Sequence, residues 1–175
     1  GGRAVRALLD RMFKYRHRVT ADDLAAHAAC REGNPMNVAI TGASGLLGSA
    51  LVPFLTTGGH EVVRLVRRAP KAKDEARWDP DAGEIDAAAL EGVDAVVHLA
   101  GENIAGGRWT EARKALLRSS RVGPTALLAR TLAGLQKKPK VLVSASAIGY
   151  YGNRGETWVT EKDAPADDFL GRLSV

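Results

Sequence analysis

At 175 residues, with 45% hydrophobic and 26% charged residues, the chain has the composition of one globular domain plus an appendage. A single cysteine, Cys30, excludes an internal disulfide framework and points to a reducing cytoplasmic setting, and the four histidines (His17, His27, His60, His98) lack metal-ligand spacing, so no metal site is expected. The formal charge of +5 lies wholly in the first 18 residues, six cations against Asp10, without the aromatic interleaving of a nucleic-acid arm; no run approaches the ~20 apolar residues of a membrane span.

Ala4 to Phe13 carries apolar residues at positions 5, 8, 9, 12 and 13, a helical period. A break is expected across F-K-Y-R-H-R-V, followed by a second helix capped at Thr20, with Asp23 in its first turn. Gly33-Asn34-Pro35 then reads as a linker, so residues 1–35 are expected to form a helical leader from an upstream domain.

From Met36 the pattern changes to alternating strands and helices. Val38 to Ser49 reads V-A-I-T-G-A-S-G-L-L-G-S: a β-branched strand from Asn37 to Thr41, glycines at 42, 45 and 48, and a helix expected from about Gly45 to Thr57. In that context each glycine has its own task. Gly42 allows the tight turn off the strand, Gly45 lets backbone approach a pyrophosphate, and Gly48 lets the helix lie close to the sheet. Unpaired N–H groups at the helix start then face the phosphates. Gly58-Gly59 closes the helix before a second strand, Glu61 to Val66, completing a βαβ unit of about 30 residues.

Arg67 and Arg68 end that strand ~20 residues beyond the glycine turn, where an NAD-binding fold carries an acid for the ribose hydroxyls. No acid stands between Glu61 and Lys73, and an arginine there can hold a 2′-phosphate by charge-assisted hydrogen bonds, which favours NADP as cofactor.

Trp78 to Gly83 reads as a turn after a short strand, and Ile85 to Leu90 as a brief helical stretch. Asp94 to Ala100 is an apolar run typical of a strand buried on both faces, ending in Gly101-Glu102-Asn103. Ligands of a doubly wound sheet bind beyond the carboxyl ends of its strands, which puts Leu99, Ala100, Gly101 and Glu102 beside a cofactor. Thr110 caps a long helical region running to Leu135, in which Pro124 is expected in a first turn or at a kink. Lys140 to Ser144 is the next strand, followed by A-S-A-I-G-Y-Y-G. The fold class is therefore α/β, a doubly wound parallel (Rossmann) sheet over residues 36–175, with the helical leader before it.

These residues resemble the extended short-chain dehydrogenase/reductases, with T-G-x-x-G-x-x-G near the start and S-x-S-A-x-x-Y after a later strand. They resemble more closely an atypical epimerase-family branch, the YfcH-type proteins. The matching segments are ITGASGLLG, LVRR, Trp78-Asp79, GVDAVVHLAGENIAGGRWT, SSR and SASAIGYYG. Before Met36, F-K-Y-R-H-R-V-T-A-D-D-L-A-A-H resembles the junction that follows a START-like, cyclase-type domain in longer fusion proteins. The resemblance implies a Rossmann domain binding NADP, with contacts at Gly42, Gly45, Leu46, Leu47, Gly48, Arg67, Leu99, Ala100 and Glu102, and Arg121 of the S-S-R segment near the cofactor. Arg68 joins them on the end-of-strand argument. The family continues past Val175, so the domain is expected to be incomplete.

Active members of the wider group use a Ser or Thr to position the substrate, a Tyr as general acid/base and a Lys four residues later that lowers the Tyr pKa. Ser146 matches the first role. Phe169 stands at the tyrosine position and Leu173 at the lysine position, and a phenyl ring cannot transfer a proton. Either Tyr150 or Tyr151 substitutes, or activity is lost. Two functions follow: an NADP-dependent oxidoreductase or epimerase-like enzyme acting on a small carbonyl or alcohol substrate, or a non-catalytic NADP(H)-binding sensor or scaffold.

Overall fold

The structure is a computed structural model, and it describes residues 2–29 and 34–175; Cys30 and Gly33, placed by sequence at a helix end and a linker, lie outside the described residues. The leader is one helix, α1 (Gly2–Ala29), rather than two. F-K-Y-R-H-R-V contains no glycine or proline, so nothing in it obliges the backbone to leave the helix, and Thr20 sits inside α1 at only a small propensity cost. No residue of α1 is buried, and its apolar stripe stays open, with Val5 57% and Leu8 56% exposed. Its last turn meets the domain through the His27 ring, which stacks on Phe54 at 4.3 Å.

The domain continues with β1 (Asn37–Thr41), α2 (Gly48–Thr57), β2 (Glu61–Val66), β3 (Glu75–Asp79), β4 (Glu84–Ile85), β5 (Ala95–His98), α3 (Glu111–Gly134), β6 (Val141–Ser144) and α4 (Phe169–Ser174). The sheet order is β4-β3-β2-β1-β5-β6, parallel except for β4, which pairs antiparallel with β3. Ile85 therefore belongs to a strand, and only Ala88–Leu90 forms the short helical turn expected from Ile85 onward. Ile85 pairs with Trp78 across the turn at Gly83, whose φ of 72° is open to glycine without strain.

The period-two alternation of strands sends their side chains to two separate cores. Val38 and Ile40 of β1 and Val62 of β2 pack against Leu51, Val52 and Leu55 of α2. Ala39 and Leu65, one residue out of phase, join Val96 of β5 and Leu128, Leu132 and Leu135 at the end of α3 on the other face. Helices thus cover both faces at the centre of the sheet, while the edge strand β6 stays exposed, and because β2 lies on one side of β1 and β5 on the other, the chain reverses direction across the sheet at β1. A crevice opens at such a switch point beyond the carboxyl ends of the strands.

Helix α3 begins where expected, with Thr110 Oγ1 accepting from Arg113 N–H at 3.2 Å. It runs unbroken through Pro124, which is therefore not in a first turn, although proline cannot return a hydrogen bond to the carbonyl of Ser120. The Pro124 ring is buried, and burial of that surface holds the helix together at the missing bond.

Leu128 is fully buried at the centre of the α3 face, so Leu128→Ala should lower unfolding stability by about 2–5 kcal/mol in denaturant titration. Leu8→Ala, on the open stripe of α1, should change it by no more than about 0.5 kcal/mol.

Candidate functional site: a cleft at the carboxyl ends of the strands

The glycine turn is built by close approach. Gly42 has a φ of 70°, and a Cβ there would stand 2.9 Å from the amide nitrogen of Ala100 and the carbonyl carbon of Leu99, so the turn lies directly on the end of β5. A Cβ at Gly48 would collide with the Gly42 carbonyl oxygen, and one at Gly45 would reach within 3.2 Å of it. That carbonyl accepts from Gly45 N–H at 2.9 Å, which keeps residues 43–47 in turns and delays the helix to Gly48 instead of Gly45. The N–H groups of Ala43, Ser44, Leu46 and Leu47 have no acceptor among the described residues, leaving a row of donors at the start of α2. The Leu46 and Leu47 side chains point outward, 90% and 63% exposed.

The turn forms one wall of a cleft of about 710 Å³. Gly42, Gly45, Arg67, Arg68, Leu99, Ala100 and Glu102 all line it, together with Gly101. Leu46, Leu47, Gly48 and Arg121 do not: Gly48 supports the turn from behind. Sequence reasoning missed Glu75, Trp78 and Asp81 on one side of the cleft, and Leu116, Ser119, Ser120 and Pro124 of α3 on the other. Linear hints were present in the Trp78-Asp79 and S-S-R segments and in the proline within a helix, but none of them placed these residues on the cleft.

The two arginines at the end of β2 differ. Arg68 is engaged in a bidentate pair with Glu75, at 2.6 and 2.7 Å, and Arg64 pairs in the same way with Asp74 at 2.7 and 2.9 Å. The Arg68 guanidinium, aided by the Lys71 N–H, holds the Glu75 carboxyl down at about 2, and this side chain is only 3% exposed. Arg68, expected to share in phosphate binding, therefore has its fork occupied by a neighbouring strand. Arg67 is exposed and its side chain makes no ion pair among the described residues; Asp81 is a cleft acid that likewise makes none among them.

At the back of the cleft Thr41 Oγ1 accepts from the N–H groups of Leu99 and Ala100 at 3.1 and 3.2 Å, and lies 2.7 Å from His98 Nδ1. His98 Nε2 lies 3.1 Å from Thr125 Oγ1, and Trp78 meets the imidazole edge-on at 5.6 Å. Burial pushes the His98 pKa down, so the ring is neutral at pH 7.

Arg121, expected near the cofactor, lies behind the cleft wall rather than on its lining. It donates to the Glu102 carbonyl at 2.9 Å and lies beside Gly101, where a Cβ would be 3.2 Å from its Cζ. Arg113 grips the same segment through the Glu102 carboxylate at 2.9 Å and the carbonyl of Asn103. These two of the arginines of α3 are spent on fixing the loop after β5, a task that Ser120 Oγ shares by accepting from Glu102 N–H.

Ser146, Tyr150 and Tyr151 follow β6 and lie outside the cleft lining. Ser146 is exposed, and the two tyrosines meet edge to face at 4.9 Å in a segment that packs on α4. Tyr150 O accepts from Ala166 N–H at 2.8 Å, and Gly149 lies against Leu170. Phe169 opens α4 and meets Trp109 edge-on at 5.7 Å, so its ring is committed to the loop that the arginines hold.

Residues 38–172 match the model of the NAD dependent epimerase/dehydratase family. The chain belongs to that family. Epimerase family protein Mb2239 of Mycobacterium bovis is 48% identical over 138 residues, which cover 79% of this chain and 45% of that protein. The crystal structure of a nucleoside-diphosphate sugar epimerase from Corynebacterium glutamicum superposes with a TM-score of 0.79 at 39% identity, over 93% of this chain and 34% of that one. Human SDR39U1, solved with NADPH, gives 0.69 at 32% identity over 79% of this chain and 46% of its own. This epimerase-family chain is thus an NAD(P)-binding, short-chain dehydrogenase/reductase type Rossmann domain that spans about half the length of the curated relatives it matches. Among the described residues, no helix is long and apolar enough to cross a membrane.

The Glu75 pair gives a pH prediction. A carboxyl held below its unfolded value stabilises the fold above that value and loses the contribution as pH falls through the folded one. Between about pH 5 and pH 3 the melting temperature should therefore fall more steeply in the wild type than in Glu75→Gln.

Proposed function

We propose that the chain is the NADP-binding domain of an oxidoreductase or epimerase-like enzyme of the YfcH-type branch, acting on a small carbonyl or alcohol substrate. Arg67 carries the choice of cofactor: it is a cleft-lining guanidinium at the end of β2 with its fork open. The cradle fits a dinucleotide on the structure's own terms. Glycines stand where a Cβ would strike backbone, and the N–H groups of Ala43, Ser44, Leu46 and Leu47 are available to phosphate oxygens. NADPH bound there would supply a hydride from its nicotinamide ring. The protein's share is to hold the pyrophosphate on the Gly42–Gly45 turn, pair a 2′-phosphate with Arg67, and present the Leu99–Glu102 backbone along the cofactor.

Arg67→Ala should weaken NADPH by tenfold or more and NADH by less than about threefold in calorimetric titration, since one charge-assisted bidentate contact is at stake. Equal losses for both cofactors would contradict the NADP assignment, and Asp81 would then be the residue to examine as a ribose partner.

Catalysis is assigned to Ser146 as substrate-positioning group, with Tyr150 or Tyr151 as proton donor. A second reading, an NADP(H)-binding sensor or scaffold, is favoured by one observation: Phe169 occupies the tyrosine position and packs on Trp109, and Ser146, Tyr150 and Tyr151 lie away from the cleft lining. NADPH oxidation over a carbonyl library separates the two. The enzyme reading expects turnover that falls at least tenfold in Ser146→Ala; tight binding with no turnover on any substrate selects the sensor.

A further inference from the structure

Thr41 and His98 are the buried polar side chains at the switch point, 0% and 3% exposed, on the face of the sheet that α3 covers. Their hydrogen bonds determine each other. A hydroxyl has two acceptor sites and one donor. The two acceptor sites of Thr41 Oγ1 are filled by the N–H groups of Leu99 and Ala100, so its single O–H is left for His98 Nδ1 at 2.7 Å. Nδ1 is then an acceptor, the imidazole is neutral, and the ring proton sits on Nε2, from which it donates to Thr125 Oγ1 at 3.1 Å.

We propose that His98 is a positioning residue of the cofactor cleft: through its Nδ1 it fixes the Thr41 hydroxyl, and that hydroxyl fixes the Leu99–Ala100 peptide groups that form the cleft wall. The chain of contacts runs Thr125, His98, Thr41, then Leu99 and Ala100, and joins α3, β5 and β1 at one wall of the cleft. Clearance there is small, because Gly42 presses on the same peptide groups, with only 2.9 Å between a Cβ and Ala100 N. Loss of the Nδ1 acceptor leaves a buried O–H without a partner and lets Thr41 turn toward another acceptor, which frees the Ala100 amide and leaves the Leu99 amide only its backbone bond to the Thr41 carbonyl at 3.3 Å. The proposal rests on the cofactor reading of the cleft for its effect on binding, but its effect on the two amides does not.

Three measurements test it on this chain. Nitrogen-15 NMR of the imidazole should show the neutral Nε2–H tautomer at pH 7. His98→Leu should speed amide hydrogen exchange at Ala100 by about tenfold, speed it less at Leu99, whose N–H keeps the Thr41 carbonyl, and raise the NADPH Kd by about tenfold at a temperature well below its melting point. His98→Asn, whose Oδ1 can stand in for Nδ1 as acceptor, should restore both to within about threefold of wild type. An Nδ1–H tautomer or an imidazolium would overturn the assignment, as would unchanged exchange at Ala100 in His98→Leu, or His98→Asn as impaired as His98→Leu. Should His98→Leu fail to fold, the tautomer and His98→Asn still decide. A wild type with the expected tautomer and the expected exchange behaviour that binds no NADPH would overturn the cofactor reading and leave the His98 assignment standing.

Discussion

The contact between the glycine turn and the end of β5 is the constraint on which the rest of the molecule depends. Gly42 can lie on Leu99 and Ala100 only without a side chain and only with a positive φ, and Gly48 can support it from behind only for the same steric reason. Because these two backbone segments touch, β1 and β5 end at one level, and residues 42–45 line the same cleft as the wall formed by Leu99 to Glu102. The helices serve this contact. Helix α2 starts late so that the turn can close, and α3 spends Arg113, Ser120 and Arg121 on the loop beyond β5 and Thr125 on His98.

Charge in the cleft follows a division of labour among neighbours in the sheet. Three arginines reach the end of β2, but two acids of β3 and its approach hold two of them, leaving Arg67 as the cation with an open fork. A carboxylate kept ionised by Arg68 also keeps Arg68 in place, so the positive field offered to a ligand is narrow and directional rather than diffuse. Arg67 and Asp81 line the same cleft.

Much of the frame was legible in the amino-acid order because it is set by local rules. The strands at Asn37–Thr41 and Glu61–Val66 follow from β-branched runs bounded by turn residues, and the Thr110 cap follows from a side-chain oxygen placed before a helical period. What escaped was non-local. Arg64 and Glu75 are register partners across the β2–β3 pair, and nothing in a linear reading says that Glu75 will take the fork of Arg68. Arg121 was placed by a motif, but a helix side chain can serve either the ligand or the loop beside it, and only the path of the Gly101–Asn103 backbone decides. The expected break in α1 had a different origin: charged and aromatic residues without apolar rhythm read as an interruption, yet a fully exposed helix needs no rhythm to continue. Ser146 and the two tyrosines were found by motif as well, and the local packing of Tyr150 on α4 is a tertiary fact that the motif does not contain.

The central claim is that the Gly42–Gly45 turn and the end of β5 together grip a dinucleotide. The most direct measurement is a titration of the isotopically labelled chain with NADPH, followed by backbone amide NMR. The account predicts the largest shifts at Ala43, Ser44, Gly45, Leu46 and Leu47 on one side of the cleft and at Leu99 to Glu102 on the other, with Arg67 moving and α1 silent. Saturable shifts confined to other surfaces, or none at millimolar NADPH, would contradict it.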